Sequence, residues 1–194
     1  MIKDLVYKNK TYRRFYEDEQ IDYQTLKDFI DLARLSPTAR NQQALKYKII
    51  TDKQLRNELF STLKWAGYLH DWDGPEEGER PSAYILIGID NNISSKYIPQ
   101  WTLTDLGIAM QTILLAAAEK GYGGCVIVAM DREKQRQLLD IPENIDIQAV
   151  IALGKPKENV IWTQMKKDDN DFRYWRDDKG NHYVPKRSLD DILL

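Results

Sequence analysis

The stretch TDLGIAMQTILLAAAEKG, residues 104–121, places a threonine at its start, a glycine at its end and apolar or small side chains on nearly every face between them. Thr104 is expected to cap the helix, and Gly121 to follow its last turn, where the backbone turns left-handed. A helix apolar all round is buried all round. Burial at the centre of one chain and burial against a second subunit both satisfy that pattern.

Working outward from this helix, CVIVAM (125–130) reads as a strand and DREKQRQLLDI (131–141) as a short helix capped by Asp131. IDIQAVIALG (145–154) is a further strand. On the other side, SAYILIGI (82–89) is a continuous apolar run, as expected of a strand covered on both faces. HDWDGPEEGERP (70–81) is a polar loop rich in Gly and Pro. Residues 53–68 read as a helix, amphipathic through Leu55, Leu59, Phe60 and Leu63, and LKYKIIT (45–51) as a strand. Asp22 is the expected cap of a helix with Leu26, Phe29, Ile30 and Ala33 on one face, stopped by Pro37. Alternating helices and strands predict a layered α/β or α+β domain.

The tail, 155–194, breaks the rhythm. It is charged and carries Trp162, Phe172, Tyr174, Trp175 and Tyr183. RYWRDDKGNHYV (173–184) reads as a hairpin turning at Asp178–Asn181. Aromatics in a polar arm suit a segment lying across a surface, either its own chain's or a partner's.

The 194 residues suit a single domain, 1–194, with 155–194 as its C-terminal arm. One cysteine, Cys125, cannot form an internal bridge, and no His/Cys cluster suggests a metal. A net charge of −2 argues against nucleic acid as a partner. MIKDLVYKNK lacks a signal-peptide core, and no apolar run approaches the roughly 20 residues of a bilayer span. A cytoplasmic location without membrane attachment is therefore expected. Cys125, opening an apolar strand, reads as a buried inert thiol; His70 and His182, in polar loops, read as solvent-facing.

There is no GxGxxG between strand and helix; GYGG (121–124) follows a helix and enters a strand, the reverse order. No nucleophile or metalloprotease signature is present, and no side chain stands out as catalytic. Three stretches remain. In NKTYRRF (9–15), Lys10 and Arg13 share a face if helical and Thr11 adds a hydroxyl, a set able to grip a phosphate, though also a solvated end. In SPTARNQQALKY (36–47), Asn41 and Gln43 offer donors and acceptors suited to a planar heterocycle, or form an ordinary loop. VPKRSLDDIL (184–193) sets Lys186 and Arg187 near the chain's end.

Taken in order, these stretches resemble the FMN-dependent nitroreductase family. Asn9–Phe15 is similar to its R-R-S-x-R-x-F pattern, and Pro37–Leu45 to P-S-[SA]-x-N-x-Q-P-W. GYGGCVIV is similar to A-x-G-L-G-[ST]-C-W-I-G, and Lys186–Asp191 to a closing basic-Leu-acidic pattern. The resemblance runs from about Leu5 to the C-terminus. It implies a three-layer α-β-α sandwich of the α+β class, with a mixed, mostly antiparallel sheet and an extended C-terminal arm wrapping the partner of a homodimer. It implies FMN as cofactor, its phosphate and ribityl chain held by Lys10, Thr11 and Arg13, with Lys186 and Arg187 closing on the phosphate. Pro37, Thr38, Asn41 and Gln43 would line the flavin, some from the other subunit. Backbone N–H groups near Val128 and Ala129 would face its reactive nitrogen, and Lys64 would lie near its pyrimidine edge. The implied activity is ping-pong hydride transfer from NADH or NADPH to a nitroaromatic, quinone or similar small acceptor. Dehalogenation, ene reduction and non-catalytic flavin binding are the alternatives. Asn9 stands where the family has arginine, Ala44-Leu45 where it has Pro-Trp, and Val126 where it has Trp.

Overall fold

Successive side chains of SAYILIGI point to opposite faces, so a strand with no polar face must lie between two layers. The computed structural model, which describes residues 1–94, 99–167 and 169–194, builds both. Its helices are α1 (Ile2–Lys8), α2 (Tyr23–Arg34), α3 (Lys53–Phe60), α4 (Asn91–Ser94), α5 (Pro99–Glu119) and α6 (Arg132–Leu139). Its strands are β1 (Phe15–Tyr16), β2 (Leu45–Ile50), β3 (Ala83–Asp90), β4 (Gly123–Ile127), β5 (Ile145–Pro156), β6 (Val160–Gln164), β7 (Trp175–Arg176) and β8 (His182–Lys186).

The main sheet runs β1-β5-β3-β2, with β4 also paired to β5, and these pairings are antiparallel. Along β3, Ile85 and Ile87 enter a cluster with Leu26 and Phe29 of α2 and Ala109, Ile113 and Ala117 of α5. Tyr84 and Leu86 enter the opposite cluster with Leu59 of α3 and Leu139 of α6. This is the expected α-β-α sandwich. Each fully buried Ile or Leu in it contributes roughly 1.5–3 kcal/mol.

The helix ends follow the chemistry. Asp22, Asp52 and Asp131 each accept the backbone N–H three residues on, capping α2, α3 and α6. Gly121, at φ +79°, ends α5: its N–H donates to Ala118 and that of Tyr122 to Ala117, a paired C-terminal closure.

Three expectations change. The helix expected over 53–68 stops at Phe60, because the chain beyond it pairs instead with residues 129–131: Lys64 N–H donates to Ala129 O (2.9 Å) and Asp131 N–H to Thr62 O (2.9 Å). The helix expected from Thr104 begins at Pro99, where a missing N–H costs nothing. Thr104 lies inside it, its hydroxyl donating to Gln100 O (3.1 Å), and caps nothing. The lengthened helix changes the membrane reading too: Gln100–Glu119 is long and apolar enough to cross a bilayer by length and composition. In this fold it is a core helix packed on the sheet. Its outer face still shows Leu103, 50% exposed, and Ile108, 39% exposed.

Within one chain, the tail folds onto its own N-terminal segment. The hairpin forms, Trp175 opposite Tyr183 and Arg176 opposite His182, with Gly180 at φ +78° in the turn. β8 then pairs in parallel with β6, and this small sheet lies against the chain's own N-terminal segment.

Candidate functional site

Residues 10–15 enter the fold as an extended ribbon. Tyr12 N–H donates to Gly124 O (3.0 Å), Thr11 bridges Gly124 in parallel, and Phe15 begins β1 with no exposed surface. Extended backbone places Lys10 and Arg13 on the tail side rather than on a helix face. Lys10 Nζ donates to Val160 O (2.6 Å) and lies over the Trp162 ring. Arg13 meets three tail groups: its N–H donates to Glu158, its guanidinium lies 4.7 Å from the Tyr174 ring centre, and its Nη1 is 3.2 Å from His182 Nε2.

Around them charge is unevenly matched. Glu158 is buried and accepts from Arg176 (3.0 Å), whose guanidinium packs on Trp72. Glu79 takes both Arg14 and Lys157. Among the described residues, no ion pair joins Lys10 or Arg13 to a carboxylate. Two half-buried cations without acidic partners, beside the Thr11 hydroxyl, fit a phosphate group. Lys186 and Arg187 follow at the exposed end of β8, Arg187 touching Asn170 Oδ1 (3.3 Å).

β4 carries the ribbon's neighbour Gly124 toward Val128, about 13 Å away at roughly 3.3 Å per residue. Val128 is 55% exposed, and no loop hydrogen bond among the described residues is donated by its N–H or that of Ala129. The Lys64 backbone bonds Ala129, so the sequence's lysine does arrive beside the Val128–Ala129 pair. Two cations thus stand near one end of β4, and two N–H groups without a loop hydrogen bond among the described residues follow its other end.

The second stretch forms a separate group. Arg40, Asn41 and Gln43 all have positive φ, 55°, 54° and 54°, a strained run that marks functional loops. Gln43 Nε2 donates to Asn41 Oδ1 (3.1 Å), and Asp105 of α5 anchors the loop through Ala39 N–H (2.9 Å). Thr38 Oγ1 and both polar atoms of the Gln42 amide are buried without a partner. Thr38 and Gln43 edge a cavity of about 270 Å³ floored by Ile30, Ala33, Leu45 and Ala109. Pro37 lies exposed on this loop. Within one chain, no hydrogen bond, ion pair or ring contact among the described residues joins Pro37, Thr38, Asn41 or Gln43 to Lys10, Thr11, Arg13, Val128, Ala129, Lys186 or Arg187. Both groups instead lean on neighbouring residues of α5, Asn9 on Gln111 (3.4 Å) and Ser36 on Thr112 (3.0 Å).

Two histidine and cysteine readings resolve. Cys125 is buried and its thiol is pushed up to about 11, first by burial, so it is inert at neutral pH. His182 is not solvent-facing: it has no exposed surface. Burial first, then the charges of Arg13 and Arg176, bring its pKa down to about 4. The sequence reading missed it, together with Glu158, Tyr174 and Gln42. The one signal the sequence offered for His182 was its position two residues before Val184 on the same strand, β8.

The sequence profile of the nitroreductase family matches residues 8–155, leaving the tail outside the match. A protein of Archaeoglobus fulgidus with the provisional name NADH dehydrogenase/NAD(P)H nitroreductase is 29% identical over 172 residues, 87% of each chain. The crystal structure of a nitroreductase family protein from Clostridium novyi NT superposes with TM-score 0.69 at 25% identity, covering 81% of this chain and 86% of that one. An FMN-dependent nitroreductase from Clostridium difficile R20291 shares the fold with TM-score 0.65 at 22% identity, covering 88% and 92%.

Proposed function

Because the chain belongs to the nitroreductase family, we propose that it is an FMN-dependent NAD(P)H oxidoreductase that reduces nitroaromatics, quinones or similar small acceptors by a ping-pong cycle. The observation that carries this reading is the pair of half-buried cations, Lys10 and Arg13, which form no ion pair among the described residues, on the segment whose Thr11 and Tyr12 pair with Gly124 of β4, the strand that leads to Val128 and Ala129. When bound, the flavin would supply the hydride chemistry. The chain's own residues would bind and orient. Lys10, Thr11 and Arg13 would hold the phosphate and ribityl chain, Lys186 and Arg187 would close over the phosphate, and Val128 and Ala129 would donate N–H groups to the ring. No dinucleotide fingerprint is present, so the nicotinamide would enter the open pocket itself.

The loop group finds its place if two copies meet along α5. Leu103 and Ile108 then leave water, and Pro37, Thr38, Asn41 and Gln43 of one copy can complete the site of the other. The orphaned Thr38 hydroxyl and Gln42 amide supply the polar groups such a joint site needs. We read the whole chain, 1–194, as one flavin-binding domain.

An absorbance spectrum of the purified protein tests the proposal. Flavin bands near neutral pH that bleach on anaerobic addition of NADH or NADPH, and return with a nitroaromatic or quinone, are expected. A protein that stays colourless after incubation with FMN and gel filtration refutes it.

A further inference from the structure

We propose that His182 is a positioning residue for the phosphate grip: it accepts a hydrogen bond from Arg13 and, with Tyr174, fixes the guanidinium so that its remaining donors face an anion. This rests on the reading that Arg13 holds the flavin phosphate.

The geometry makes His182 an acceptor. Its ring is fully buried, its backbone is pinned by Asn159 O (2.9 Å), and its Nε2 sits 3.2 Å from Arg13 Nη1. An arginine nitrogen only donates, so Nε2 must be the bare nitrogen and the proton must sit on Nδ1. Nδ1 is buried with no partner. An unpaired buried N–H is costly, so retaining this tautomer implies a compensating role for the other nitrogen.

The groups packed round the ring require the neutral form. Arg13 faces it from the N-terminal segment and Arg176 from β7, with the Tyr174 ring 5.2 Å away and tilted at 50°. Glu158, the nearby carboxylate, accepts from Arg176 and from the Arg13 N–H, and Cys125, which feels both Arg13 and Glu158, is an uncharged thiol. A cationic imidazole would meet two guanidiniums across one carboxylate.

Arg13 has five N–H donors and spends one on His182. Tyr174 covers one face of the guanidinium, which removes freedom that a free arginine would lose on binding. Holding the fork before the anion arrives is the benefit, since preorganised donors bind more tightly than mobile ones. The tail thus serves the site through Arg13 as well as through Lys186 and Arg187.

The test is a double-mutant cycle read as the FMN dissociation constant of the full-length protein at pH 7.5, by fluorescence titration, with trypsin cleavage after the half-buried Arg176 reporting tail docking. His182→Leu keeps bulk and removes the acceptor; His182→Gln restores an acceptor. We expect H182L to weaken FMN about tenfold with the tail still protected, and H182Q to stay within about threefold of wild type. In an R13A background H182L should cost less than about twofold. An equal cost of H182L in both backgrounds, or H182Q binding as weakly as H182L, overturns the inference while leaving the phosphate assignment intact. R13A binding FMN like wild type removes that assignment, and the inference falls with it, a result distinct from either of the others. If H182L proves unfolded, H182Q decides: affinity near wild type supports the role, affinity at the R13A level overturns it.

Discussion

Arg13 lies near Lys10 for a reason other than the one its sequence spacing suggested. Its spacing from Lys10 suggested a shared helix face, yet the segment is extended and the two meet because the tail gathers both. Replacing Lys10 and Arg13 together by alanine should weaken FMN binding at least tenfold, about 1.4 kcal/mol, in the same titration; a change within twofold would discard both as phosphate ligands. Cys125 makes a second prediction at this scale. With its thiol held near 11 and buried, it should resist Ellman's reagent at pH 8 in the folded protein and react fully once unfolded in guanidinium. The buried thiol was legible in the sequence because an apolar strand leaves a cysteine nowhere else to go. His182 was not, because its burial depends on a partner strand whose paired residue, Val160, lies 22 residues upstream in the chain.

Among elements, the ends carry most of the sequence's information. Gly121 was placed by pattern, and the observed φ of +79° gives the reason. Gly121→Ala should lower stability by about 1–2 kcal/mol, seen as a fall in Tm, since a Cβ in left-handed backbone is strained. The tail sheet makes an acid-dependent prediction. Free imidazole takes a proton near 6.5 and His182 in the docked tail near 4. Between those values the unfolded chain binds more protons, so stability falls as pH drops from about 6.5 toward 4 and levels off below. The slope is at most roughly 1.4 kcal/mol per pH unit. Wild-type Tm should therefore fall relative to H182Q between pH 7 and pH 5; a constant difference would show that His182 does not titrate with folding. The false extension of α3 to residue 68 came from apolar spacing that continues past Phe60, where Leu63 pairs with Met130 and Trp65 packs on Phe60 and Trp72 rather than on a helical turn.

In the whole molecule, the unresolved tension in the sequence was where the apolar faces of α5 go. One side packs on the sheet; Leu103 and Ile108 on the other remain uncovered in a single chain. If two copies meet there, Ile108→Glu should convert a dimer into monomers by sedimentation velocity and reduce FMN retention as well, because the 36–43 loop would lose the neighbour it serves. Wild-type protein sedimenting as a monomer with full flavin would contradict that arrangement. Ile108 lies far enough along α5 from the sheet-facing Ile113 that folding of each chain should survive the change.

Local chemistry was enough to write down the layers: alternation, caps and a left-handed glycine act over a few residues, and the strands 82–89 and 145–154 with their flanking helices follow from them. The grip on Lys10 and Arg13 lies beyond such rules. It depends on Val160, Tyr174 and His182 arriving from more than a hundred residues downstream, and on an imidazole whose pKa burial and two guanidiniums push down. Contacts between distant segments are set by packing of the whole chain, which no short window of sequence contains.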